Sequence, residues 1–143
     1  MNKYKNKIEL CVRAVIRHNG KILVCRALGK NHYFFPGGHI EYGETAVNAL
    51  KRELYEELGV RIKKCVFIGT VENIYKEDGE THHEINLVFD VSVDKIHAKS
   101  KEDHIEFIFL NKKEFASGKI LPFVLQKSII KWLKNKKTFW ATQ

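Results

Sequence analysis

Glu53, Glu56 and Glu57 stand at positions i, i+3 and i+4 in the stretch GHIEYGETAVNALKRELYEELGV, residues 38–60. On a helix of 3.6 residues per turn those positions are surface neighbours, so three carboxylates project together and repel one another. They adjoin the apolar stripe of Leu50, Leu54 and Leu58, which puts them at the margin of a core, where desolvation adds to the repulsion. A divalent cation reverses the sign. Mg²⁺ takes oxygen ligands and keeps several waters, so a few carboxylates, a backbone carbonyl and substrate phosphate oxygens suit it. The Gly37-Gly38 turn could supply that carbonyl. Taken alone, an E-x-x-E-E helix reads as a solvated face, and its setting has to decide between the two readings.

The helix that carries these carboxylates is predicted from Val47, Leu50, Leu54 and Leu58 on one stripe, with Thr45 as N-cap and Gly59 as the C′ residue. It is entered through Tyr33-Phe34-Phe35, read as an aromatic strand stopped by Pro36-Gly37-Gly38. Upstream, Leu10, Val12, Ala14 and Ile16 alternate, and Asn19-Gly20 separates them from the run Ile22 to Cys25, which predicts a hairpin. Arg13 and Arg17 lie on the opposite face of its first strand and Arg26 ends its second; they are open to two readings, phosphate ligands or rim charges. Downstream, Cys65 to Tyr75 and His83 to Val93 read as strands joined at Asp78-Gly79, followed by a strand from Ile105 to Leu110. Asn111 and Glu114 form a capping-box pattern for a short helix reaching Gly118, and Leu121 to Leu133 reads as a last amphipathic helix. The class is α+β, with a mixed, largely antiparallel sheet.

The chain has 143 residues, 44% of them hydrophobic, which fits one globular domain over 1–143. No run of about 18 apolar residues exists, so a soluble, unexported chain is expected, with no membrane partner. Cys11, Cys25 and Cys65 are odd in number and widely spaced. They read as free thiols in a reducing cytoplasm rather than as a disulfide framework or zinc site. The net charge of +8 includes Lys127, Lys131, Lys134, Lys136 and Lys137 near the C-terminus. A solvated helix face is the plainer reading of that cluster, ahead of a nucleic-acid patch.

Gly38, five residues, Glu44, seven residues and then Arg52-Glu53-Leu54-Tyr55-Glu56-Glu57-Leu58-Gly59-Val60 resembles, at every specified position, the signature of the Nudix hydrolase family. The resemblance implies an α/β/α sandwich in which the signature forms a loop, helix and loop. It also implies that Glu53, Glu56 and Glu57 bind Mg²⁺ or Mn²⁺ with the Gly38 carbonyl, that Arg52 braces the glutamates, and that Glu44 stabilises the loop or the metal's surroundings. Family members hydrolyse a nucleoside diphosphate linked to another moiety, with Glu53 the expected base. Some place the base on a later loop, where Glu102, Asp103, His104 and Glu106 lie here, and Glu106 is the preferred alternative. The expected partner is a small nucleotide: a nucleotide, nucleotide sugar, ADP-ribose or dinucleoside polyphosphate. Arg13, Arg26, Tyr33, Phe35 and Tyr75 are the candidate substrate contacts, with Tyr42 and Phe123 as further rings able to stack a base. The alternative is a non-catalytic nucleotide- or RNA-binding module on the same fold; in either case a monomer or homodimer is expected, with nucleic acid the less favoured partner.

Overall fold

The computed structural model describes residues 5–143. Strand β1 (Ile8–His18) turns at Asn19 and Gly20 into β2 (Lys21–Ala27), with Arg17 opposite Ile22 and His18 opposite Lys21. Both turn residues take positive φ, 50° and 75°, as a tight two-residue hairpin requires. The aromatic strand predicted at Tyr33 to Phe35 is reduced to isolated bridges, Cys25 with Phe34 and Tyr33 with Ile120. The third strand, β3 (Gly37–His39), lies instead on the glycines read as a loop, and pairs antiparallel with β1. Gly37 makes this possible. Its φ is 141°, and a Cβ there would stand 1.9 Å from the Val12 carbonyl oxygen.

Helix α1 (Ala46–Leu58) follows, then β4 (Ile62–Glu77) and β5 (Glu80–Val93), a long antiparallel pair turned at Asp78 and Gly79. Strand β5 also runs parallel to β1, from the Ile8–His83 pair to the Ile16–Val91 pair. Strand β6 (Ile105–Leu110) pairs with β2, and β7 (Phe139–Thr142), which the sequence pattern did not suggest, adds a parallel edge to β4. The order is β6-β2-β1-β5-β4-β7, with β3 attached to β1. The capping box at Asn111 and Glu114 opens α2 (Lys112–Ser117), and α3 (Phe123–Asn135) follows Pro122.

Two cores hold this sheet between helices. Val12, Ala14 and Ile16 pack with Leu50, Leu54 and Leu58 of α1, while Val15, Val71 and Val88 pack with Phe115, Leu125 and Ile129 on the opposite face. The sandwich is therefore α/β/α, as the resemblance implies. It also corrects the one-sided reading of β1: a strand between β2, β3 and β5 is covered on both faces, so its alternation does not separate core from solvent. Leu50 and Leu54 are fully buried, and each contributes about 1.5–3 kcal/mol to anchoring α1. No helix among the described residues is long and apolar enough to cross a membrane.

Candidate metal and phosphate site

Helix α1 presents its glutamates in a graded way. The Thr45 side chain accepts from the Asn48 N–H at 3.2 Å, and Gly59, at φ 68°, closes the other end by donating to the Tyr55 carbonyl at 2.9 Å. Between these caps Glu57 is 7% exposed, whereas the side chains of Glu53 and Glu56 are 18% and 53% exposed. The three carboxylates that a helical wheel treats alike are one buried, one half-buried and one open.

Glu57 and Glu53 meet the glycine strand. The Gly37 backbone amide acts on Glu57, lowering its carboxyl pKa, and the carboxyl carbon of Glu53 lies so close to Gly38 that a Cβ there would stand 2.5 Å from it. Glu57 Oε2 is buried without a hydrogen-bond partner. Burial first, then the charges of Glu53 and Glu102, push the Glu57 carboxyl up to about 8, with Arg13 and the Gly37 N–H opposing them. An orphaned, desolvated carboxylate beside a second carboxylate is a donor set short of a cation. Among the described residues no three carboxylate, imidazole or thiol groups converge closely enough to hold a metal by themselves.

Arg52 ties the site to its loop. Its Nη2 donates to Glu44 Oε1 at 2.6 Å and to the His39 carbonyl at 3.0 Å; its Nε donates to Glu44 Oε2 at 3.2 Å and its Nη1 to Glu53 Oε1 at 2.9 Å. Glu56 Oε2 lies 3.6 Å from the same guanidinium. One planar fork thus sets the positions of two carboxylates and of the strand that carries Gly38. The Glu44 side chain also accepts from the Glu41 N–H at 2.9 Å. Arg52 first, then that N–H, hold Glu44 below the usual carboxylate range. The hydrogen bond to Glu44 raises Arg52 above its own range.

The remaining sequence candidates separate. Arg13 belongs with the glutamates: its Nη1 donates to the Phe35 carbonyl at 3.2 Å and its Nε to Asn86 Oδ1 at 3.1 Å, and its charge acts on Glu57. Tyr75 connects to Arg13 at one remove. Its hydroxyl donates to Glu84 Oε1 at 3.0 Å, and Glu84 Oε2 accepts from Asn86 at 3.4 Å. Arg26 and Glu106 form a cross-strand ion pair, with Arg26 5.3 Å over the Tyr33 ring. Glu106 therefore lies within β6, paired across to Arg26, rather than on a loop. The loop carboxylate that acts on Glu57 is Glu102, whose segment docks on α1 through the Lys101 N–H, 2.7 Å from the Glu57 carbonyl. Phe35 is corrected outright. It is fully buried, edge-on to Phe115 at 5.9 Å, and has no face left for a base. Tyr42 is wholly exposed and Phe123 is partly so.

The sequence reading missed Glu9. It is buried on β1 between His39 Nε2 at 2.9 Å and His82 Nδ1 at 3.0 Å, and His82 stacks on Tyr75 with centroids 5.0 Å apart. The hydrogen bond to Glu9 raises His82 above its usual range. A lone acidic residue near the start of an apolar strand was the available signal, but its partners come from β3 and β5.

Comparison with known proteins places this geometry. Over 62 residues the chain is 36% identical to the RNA pyrophosphohydrolase of Tolumonas auensis, covering 43% of this chain and 36% of that protein. Over 78 residues it is 33% identical to the 8-oxo-dGTP diphosphatase of Proteus vulgaris, covering 51% of this chain and 69% of the relative. The fold superposes on the MutT protein of Bacillus halodurans with a TM-score of 0.78, covering 94% of this chain and 88% of that one at 16% identity. The NUDIX domain family model matches residues 7–133, and the chain belongs to the Nudix family.

Proposed function

We propose that this chain is a metal-dependent pyrophosphohydrolase that cleaves a phosphoanhydride bond in a nucleoside diphosphate linked to a further moiety. The observation that carries this reading is the orphaned Glu57 oxygen, buried beside Glu53 where Gly37 and Gly38 approach the helix. Glu53, Glu56 and Glu57, with the Gly38 carbonyl, would hold Mg²⁺ or Mn²⁺. Bound there, the cation supplies charge neutralisation of the diphosphate and acidifies a water. Glu53 accepts the proton of the attacking water, Arg52 keeps Glu53 oriented, and Arg13 offers a cation toward a phosphate oxygen. Glu102 is the second carboxylate able to take a proton at Glu57's side of the site. Two relatives are named for pyrophosphohydrolase or diphosphatase activity, which supports the reaction class.

A screen of nucleoside triphosphates including 8-oxo-dGTP, nucleotide sugars, ADP-ribose, dinucleoside polyphosphates and 5′-triphosphorylated RNA, with products identified by mass, tests the proposal. The expected result is turnover of at least one substrate that stops on chelation. Binding without metal-dependent turnover of any would establish the non-catalytic module instead.

A further inference from the structure

On the side of the sheet that carries α3, three depressions adjoin. The largest, about 720 Å³, holds Arg17, Lys64 and Lys136 around Trp132. A second, about 380 Å³, shares Arg17 and Gly20 with it and adds Lys21, Lys112 and Lys134 over an apolar floor. The third, about 420 Å³, shares Trp132 and Thr138 with the first and adds Lys131 and Lys137. Together they are lined by eight cations and a single carboxylate, Asp90, itself bound to Arg17 at 2.9 Å. Most of the chain's excess positive charge is therefore gathered into one tract.

Two of those cations share one aromatic ring. Arg17 and Lys136 both sit over the Trp132 ring, at 5.2 Å and 4.1 Å from its centroid. Burial, and then the charge of Arg17, draw Lys136 below its usual range. Two exposed aromatic residues border the tract, Phe67 at 46% and Trp140 at 62% exposure. An acidic peptide would explain the charge but not the rings. A polymer with regularly spaced phosphates and stackable bases matches both.

We propose that this tract binds single-stranded polynucleotide, separately from the metal and phosphate site. The proposal goes beyond the hydrolytic reading and does not rest on it. Its test uses a labelled single-stranded oligoribonucleotide with a 5′-hydroxyl end, followed by fluorescence anisotropy in EDTA, so that the carboxylate site takes no part. Lys134, Lys136 and Lys137 come one from each depression. Their joint replacement by Gln is expected to weaken binding at least tenfold and to flatten the log–log salt slope by about 2. Replacing Lys76, Lys95 and Lys99, which lie outside the tract, removes the same charge and should cost less than twofold. Trp140→Ala should weaken binding about fivefold or more with the slope unchanged. Equal losses in the two triple variants, unchanged affinity in Trp140→Ala, equal binding of a duplex, no binding by the wild-type chain at 50 mM salt, or displacement of the oligonucleotide by an equimolar poly-glutamate peptide would each overturn the assignment.

Discussion

Replacing Glu57 by Gln separates the site's chemistry from its stability. With its carboxyl pushed up to about 8 against an ordinary value of 4.5, the folded, metal-free protein keeps a proton that the unfolded chain releases across that interval. The unfolded state therefore binds fewer protons, and stability contributed by the neutral carboxyl is full below about pH 4.5 and lost as pH rises to about 8. The slope approaches 1.4 kcal/mol per pH unit inside the window. The group is 7% exposed, so little of this is screened away, and the loss reaches a few kcal/mol. Glu57→Gln cannot ionise. In EDTA the variant should match the wild type near pH 4.5 and exceed it at pH 8 by a few kcal/mol, roughly 5–15 °C in Tm. Metal binding must expel the same proton: calorimetry at pH 7 in two buffers of different ionisation enthalpy should read proton release from the wild type and almost none from the variant. Parallel stability profiles for the two proteins, or equal proton release, would refute the account of Glu57.

Other substitutions discriminate among the neighbouring groups. Arg52→Lys keeps the charge but cannot hold Glu44 and Glu53 in one fork; it should lower kcat at least tenfold with little change in KM, and steady-state kinetics showing the reverse would remove the bracing role. Gly38→Ala should displace the Glu53 carboxylate, the nearest group to its new Cβ, reducing activity tenfold or more while changing stability by less than about 1 kcal/mol. Gly37→Ala strikes the Val12 carbonyl from a positive φ and should instead lower stability by more than about 2 kcal/mol, read by urea denaturation. Phe35→Ala should cost about 3–5 kcal/mol through the cavity it leaves, with KM unchanged, because the ring is core rather than a stacking platform. The triple replacement of Lys134, Lys136 and Lys137 by Gln should leave turnover of a small nucleotide within about threefold, since surface charge is screened over about 10 Å.

What could be read without the fold lies close together along the chain. The caps Thr45 and Gly59, the stripe of Leu50, Leu54 and Leu58, the turns at Asn19-Gly20 and Asp78-Gly79 and the capping box at Asn111 depend on neighbours within one or two turns, so local stereochemistry specifies them. The crowding of Glu53, Glu56 and Glu57 follows from helical period alone. Their inequality does not. A wheel has no account of what faces it, and only the approach of the Gly37-Gly38 strand and the loop bearing Glu102 makes Glu57 the desolvated member and Glu56 the open one. In the same way, alternation in β1 could not reveal that both its faces are covered, because its parallel pairing with β5 joins residues some 75 positions apart. Arg13 meets Asn86 and Glu9 meets His82 for that reason, and Phe35 is buried by Phe115, 80 positions on. Side-chain pattern sets which face of an element is apolar; which partners arrive at each face is a long-range choice made by the packing of the whole chain.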